Sequence, residues 1–299
     1  MRGLRSVVLA AAVAALLAGC TRDAPPSLPA STRAIAEAPS AAPVPTVALT
    51  GTPRTVAALG DSLSRGFDAC AQYGDCTAVS WSTGTDPRVD SVAARLSAAL
   101  RAPVSSVNVA RSGATVSDLA RQVGLAVQRR PDVVTVLIGA NDVCRPSLAA
   151  MTSGAAYAAT LGTQLHRLAT ALPHTTVLVA SVPDVPELVA VAGHDPTARF
   201  LWSHSGACRS VLGDAGSRDP AAVARLASVT ARIREYDASL DAICATIPTC
   251  VYDGGALFRA RFTLPELSPL DSFHPSRAGL RRIAALEWAV LRPRLVDVS

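Results

Sequence analysis

No lysine occurs in this chain: all 28 basic residues are arginine, set against 23 acidic ones. The resulting formal charge of +5 is modest, and Arg129-Arg130 and Arg281-Arg282 are the only adjacent basic pairs. Aromatic residues are also scarce, with five Phe, four Tyr and three Trp, and none interleaves with a basic stripe. A nucleic-acid partner needs a clustered basic face with stacking rings, so no nucleic acid is expected; the exclusive use of arginine reads as genome composition. No Cys-x-x-Cys occurs, which argues against a structural zinc site. The nearly uninterrupted apolar run from Val7 to Ala18 is too short to span a bilayer comfortably.

That run follows the basic start Met1-Arg2-Gly3-Leu4-Arg5 and reads as a signal peptide over residues 1–19. It ends in Leu17-Ala18-Gly19-Cys20, which resembles the bacterial lipoprotein processing box. The resemblance implies cleavage before Cys20 and a lipid on its thiol. Residues 20–53 are rich in Pro, Ala, Ser and Thr and give little from which to build a core, as expected of a tether. At about 3.1 Å per residue it would reach roughly 100 Å if wholly polyproline-like. Export to the extracytoplasmic side of the cell membrane, anchored or secreted, is the expected localisation. Residues 54–299 are then one catalytic domain, expected to be a monomer.

Cysteine usage agrees with export. Setting Cys20 aside leaves six: Cys70, Cys76, Cys144, Cys208, Cys244 and Cys250. In an oxidising compartment these allow three disulfides in fifteen arrangements. Local closure over six residues favours Cys70 with Cys76 and Cys244 with Cys250, leaving Cys144 for Cys208.

Short β-branched runs alternate with helical periodicity along the domain. Five strands are predicted at 55–59, 104–109, 132–138, 176–180 and 249–252. Between them, Val89, Val92, Ala93, Leu96 and Leu100 share a helical face, as do Leu161, Leu165, Leu168 and Leu172. Further helices are expected from a Ser117-Asp118 cap to Gln128, from Val223 to Cys244 and from Ser276 to Leu291. Such alternation predicts an α/β fold of three layers, α/β/α, around a parallel sheet of about five strands. The segment 182–220, with Pro183, Pro186, Gly193, Gly206 and Gly213, reads as an irregular loop pinned by Cys208 and overhanging the site.

The polar motifs fall at strand ends. The first strand runs into Gly60-Asp61-Ser62, the second into Asn108-Val109-Ala110-Arg111-Ser112-Gly113 and the third into Gly139-Ala140-Asn141-Asp142. Carboxyl ends of parallel strands share one edge, so Ser62, Gly113 and Asn141 are placed to converge. Asp271-Ser272-Phe273-His274 precedes the last helix and is placed to close that edge. A serine needs a base before it becomes a nucleophile, and a histidine oriented by a carboxylate supplies one.

These four blocks together resemble the SGNH, or GDSL, hydrolase family of esterases and lipases, from Val56 to roughly Leu291. The resemblance implies a flavodoxin-like fold, Ser62 as nucleophile, His274 as base, Asp271 as its partner, and an oxyanion hole made by the Ser62 and Gly113 N–H groups with the Asn141 amide. It implies a carboxylic ester hydrolase working through an acyl-serine, without metal or organic cofactor. A lipase or phospholipase, a carbohydrate O-deacetylase, a short-chain esterase and an envelope thioesterase use the same group. A non-catalytic lipid- or glycan-binding surface lipoprotein is the reading from another class. His166 and His174 are expected to be solvated. Trp81, Phe200 and Trp202 suit either an acyl pocket or the core.

Overall fold

The computed structural model describes residues 54–295. The signal peptide, the lipid site at Cys20 and the whole tether lie outside the described residues. Five strands form one sheet: β1 (Thr55–Gly60), β2 (Ser105–Asn108), β3 (Val133–Leu137), β4 (Thr176–Val179) and β5 (Cys250–Tyr252). Their order is β2-β1-β3-β4-β5 and every pairing is parallel. This is the doubly wound order whose crevice opens where the winding reverses, between β1 and β3.

Both sheet faces are covered, and the strand sequences show why. Ala57, Leu59, Val134, Val136, Val177 and Val179 point to one core, while Val56, Val133, Leu137, Leu178 and Val251 point to the other. A strand apolar on both sides has no solvent face, so it must sit between two helical layers. The first core is closed by α3 (Leu119–Arg129), α5 (Gly154–Ala171) and α9 (Pro220–Cys244), and the second by α2 (Val92–Leu100) and α10 (Arg277–Leu291). Thr135 is the polar exception at the centre of β3, and its hydroxyl is hydrogen-bonded to Ser82 Oγ at 2.7 Å. Trp81 belongs to the second core and is completely buried. Among the described residues no helix is long and apolar enough to cross a membrane.

The predicted strands stand within a residue of their expected ends. Two local readings change. The segment 182–220 is not an irregular loop: it holds α6 (Glu187–Ala192), α7 (Pro196–Ser205) and α8 (Arg209–Leu212). Its prolines and glycines punctuate those helices. Pro186 precedes α6, Asp195 caps α7 through the Ala198 N–H with Pro196 in the first turn, and Gly206 ends it at φ +61°. The cap ahead of α3 is also different, because Thr115 and Asp118 form a capping box on the turn Val116–Asp118, and no side chain caps α3 itself. The three disulfides are Cys70–Cys76, Cys144–Cys208 and Cys244–Cys250, as the spacing favoured.

Candidate active site

β1 delivers its last residue, Gly60, at φ +141°, with so little room that a Cβ there would lie 2.2 Å from the Leu137 carbonyl oxygen. Only glycine allows the strand to turn at that point. Buried Gln122, on α3, holds the turn from both sides: its Oε1 accepts from Gly60 N–H at 2.7 Å and its Nε2 donates to Gly60 C=O at 2.9 Å. Asp61 then caps the single-turn helix α1 (Ser62–Arg65) by accepting from the Leu63 N–H. Ser62 emerges buried but bordering two cavities.

The segment Asp271–His274 meets it across 212 residues. His274 Nε2 lies 2.8 Å from Ser62 Oγ, and His274 Nδ1 lies 2.5 Å from Asp271 Oδ2. The remaining Asp271 oxygen accepts from the backbone N–H groups of Phe273 and His274 at 2.9 and 3.0 Å. Burial pushes the Asp271 carboxyl up, but the bond to His274, its charge and these two N–H donors hold it below the ordinary aspartate range. Trp202, on α7, donates its indole N–H to the Asp271 carbonyl at 3.1 Å, joining the cap segment to this turn.

Gly113 follows β2 at φ +78°, and an added Cβ would meet no atom within 4 Å. Glycine is required there by the dihedral rather than by crowding. Asn141 lies in α4 (Ala140–Val143), directly after β3. One hydrogen of its amide goes to the Ala114 carbonyl at 2.9 Å, which turns the group toward the cleft shared with Ser62 and Gly113. Neighbouring Asp142 is buried and ties the two loops together, accepting from Val116 N–H at 2.9 Å and Thr152 Oγ1 at 2.7 Å.

All five expected site residues therefore line the same pair of cavities or the hydrogen-bonded chain between them. Several positioning groups were not foreseen. Gln122 interrupts the apolar stripe Leu119, Val123, Ala126 of α3, and a polar residue on a buried face is the signal that marks it. Asp68 gives no comparable sequence signal. It is buried at φ +55°, accepts from the Gly74 N–H, and brings a carboxylate oxygen within 4.8 Å of donor atoms on Asp271 and His274. Burial, with the adjacent Asp271, raises its carboxyl above the ordinary value. Those three residues are the cluster whose ligand atoms are close enough to hold a cation, but Asp271 and His274 already spend the relevant atoms on each other. His166 and His174 are exposed, as expected.

A parallel sheet that brings a serine, an imidazole, a carboxylate and an amide to one edge at its winding reversal defines an α/β protein suited to acyl transfer. The model of the GDSL-like lipase/acylhydrolase family matches residues 58–282, and the chain belongs to that family. It is a carboxylic ester hydrolase. A comparison with curated protein sequences gives no match. Among solved structures, TesA is 18% identical over 81% of this chain and 100% of its own, with a TM-score of 0.51. Axe2, an acetylxylan esterase from Geobacillus stearothermophilus, is 18% identical over 84% of this chain and 99% of its own, with a TM-score of 0.50. At this identity the likeness is one of fold.

Proposed function

We propose that the protein hydrolyses short-chain carboxylic esters through an acyl-Ser62 intermediate. The observation that carries this reading is the unbroken chain from Ser62 Oγ to His274 Nε2 at 2.8 Å and from His274 Nδ1 to Asp271 at 2.5 Å. As Ser62 attacks, His274 takes its proton, and Asp271 stabilises the imidazolium and fixes the tautomer. The charge that develops on the former carbonyl oxygen goes to the N–H groups of Ser62 and Gly113 and the free amide hydrogen of Asn141. His274 then returns the proton to the leaving alcohol and activates the water that releases the acid.

The two cavities that meet at Ser62 have different characters. One is the more enclosed of the two, about 70 Å³, and walled by Leu188, Val191, Leu257, Phe262 and Ile283. The other is an open cleft of about 840 Å³. The acyl group stays bound through the covalent intermediate, whereas the alcohol must leave and water must enter, and His274 borders both cavities. The enclosed cavity therefore takes the acyl chain and the open cleft takes the alcohol. The small volume of the enclosed cavity limits the acyl group to a short chain. Anchoring by lipid at Cys20 on the extracytoplasmic side remains part of this proposal, supported by the leader sequence and by the disulfides.

p-Nitrophenyl esters from acetate to palmitate test the reading. We expect kcat/KM to peak near butyrate to hexanoate and to fall sharply beyond octanoate. A fluorophosphonate should label Ser62, and labelling that survives Ser62→Ala, or a palmitate optimum, would overturn the respective assignment.

A further inference from the structure

Four large hydrophobic residues stand exposed among the described residues, and two of them, Tyr73 at 72% and Phe200 at 60%, line the open cleft beside Ser62. Exposed aromatic faces at the mouth of a site call for an occupant. Each is presented by a stapled element. Tyr73 lies within the loop closed by Cys70–Cys76, which is also tied down by Arg65 to Asp75 at 2.8 Å. Phe200 lies on α7, in the cap segment whose far end is fixed to the Asn141 element by Cys144–Cys208. Its ring packs on His204 with centroids 4.1 Å apart.

The polar groups of the cleft decide what the rings would hold. Ser112, His204 and Ser205 line it with Tyr73. Ser112 Oγ donates to Asp75, Ser205 Oγ to the Trp202 carbonyl at 3.4 Å, and His204 Nδ1 faces the Phe200 carbonyl at 2.7 Å. The two hydroxyl oxygens therefore serve as acceptors and the Nε2 edge of His204 as the imidazole partner. Among the described residues no arginine lines it, and with lysine absent its lining holds no guanidinium or ammonium. A phosphate-bearing alcohol would be taken from water into a site lacking the guanidinium or ammonium that such groups pair with. Flat aromatic faces with hydrogen-bonding groups around them suit a neutral ring that is apolar on its face and hydroxylated at its edge.

Resting on the acyl-enzyme reading above, we propose that the open cleft is an alcohol subsite for a neutral sugar ring, gripped by Tyr73 and the Phe200–His204 pair. The preferred substrate is then a short-chain acyl ester of a carbohydrate hydroxyl. In turnover the ester C–O bond breaks, Ser62 Oγ keeps the acyl group, and the sugar oxygen leaves with the proton from His274 Nε2.

The test compares kcat/KM for methyl 6-O-butyryl-glucoside, ethyl butyrate, butyrylcholine and dibutyryl phosphatidylcholine on the full exported protein. The glucoside ester should exceed ethyl butyrate by at least about tenfold, and Phe200→Ala and Tyr73→Ala should each lower that ratio about five- to tenfold, the size of one aromatic contact. Val223→Ala, another exposed apolar residue but one on α9 outside the cleft, should leave both rates unchanged. No advantage for the glucoside, an unaltered ratio in both aromatic variants, or a preference for the choline or phospholipid ester would overturn the assignment while leaving Ser62 chemistry intact. Absence of turnover on ethyl butyrate together with absence of Ser62 labelling would remove both readings.

Discussion

One hydrogen of the Asn141 amide is held by the Ala114 carbonyl at 2.9 Å, and the proposed mechanism gives the other to the oxyanion. On the mechanism proposed above, replacing Asn141 by alanine deletes a donor to the developing oxyanion, and the half-exposed position leaves no buried hole. Asn141→Ala should therefore lower kcat by roughly 10²- to 10³-fold, with an unfolding midpoint close to that of the parent. Steady-state kinetics on p-nitrophenyl butyrate with thermal unfolding checks both halves, and a near-normal kcat would take Asn141 out of the site. Gln122 presents the opposite balance. Its amide touches no substrate, yet it pairs with both backbone groups of Gly60, and all of these atoms are buried. Gln122→Ala orphans the Gly60 N–H, whereas the Gly60 carbonyl keeps the Arg111 N–H at 3.1 Å. The expected loss is about 1–3 kcal/mol in urea unfolding, with a fall in kcat and little change in KM because the Ser62 turn loosens. Unaltered kcat alongside the stability loss would limit Gln122 to the fold.

At the scale of elements, the segment carrying α6, α7 and α8 depends on a covalent tie as well as on packing. Cys144 directly follows α4, which bears Asn141, and Cys208 directly precedes α8, so Cys144–Cys208 links the loop after β3 to the segment 182–220 across 64 residues. Ser210 reinforces the junction, with its Oγ donating to the Val143 carbonyl at 2.6 Å. On the chain-entropy model a loop of that length contributes about 4 kcal/mol, against about 2 kcal/mol for each six-residue closure. The paired change Cys144→Ser with Cys208→Ser should thus cost more in Tm than opening either short loop, and should also reduce kcat. Differential scanning calorimetry of the three pairwise variants ranks them, and an equal or smaller loss for this pair would contradict the model. The elements themselves differed in how plainly the sequence announced them. Continuous β-branched runs can be buried only between two layers, so the strands and the sheet edge that gathers Ser62, Gly113 and Asn141 were readable. Helices of six, ten and four residues are too short for periodicity to outweigh their terminal prolines and glycines, so 182–220 read as loop. The roles of Trp202 and Asp68 depend on tertiary neighbours far away in the chain, which local pattern does not encode.

The whole molecule responds to pH through carboxyls that the fold buries. Burial pushes both Asp61 and Asp237 up to about 7. Glu287, completely buried on α10, is raised well above its ordinary value by the same cause, with Asp253 adding to it. Neither Glu287 oxygen has a hydrogen-bond donor. Asp253 accepts from Ser181 Oγ and from the N–H groups of Gly255 and Leu257. These three groups have folded-state values above their unfolded ones of 3.8 for aspartate and 4.5 for glutamate. Their contribution is complete below about pH 4 and is lost as pH rises through 7 and beyond, because the unfolded chain releases those protons first. Asp271, Asp118 and Glu266 are held low by their partners and work in the opposite sense, losing their contribution as acid protonates them. The fold should therefore be most stable in mildly acidic solution, and its urea midpoint should decline between pH 5.5 and 8.5. Glu287→Gln keeps the size of the side chain, removes its titration and retains an N–H donor toward Asp253. That variant should show a visibly shallower decline and at pH 8.5 should equal or exceed the parent, and a slope identical to the parent's would show that Glu287 does not titrate in the folded state over this range.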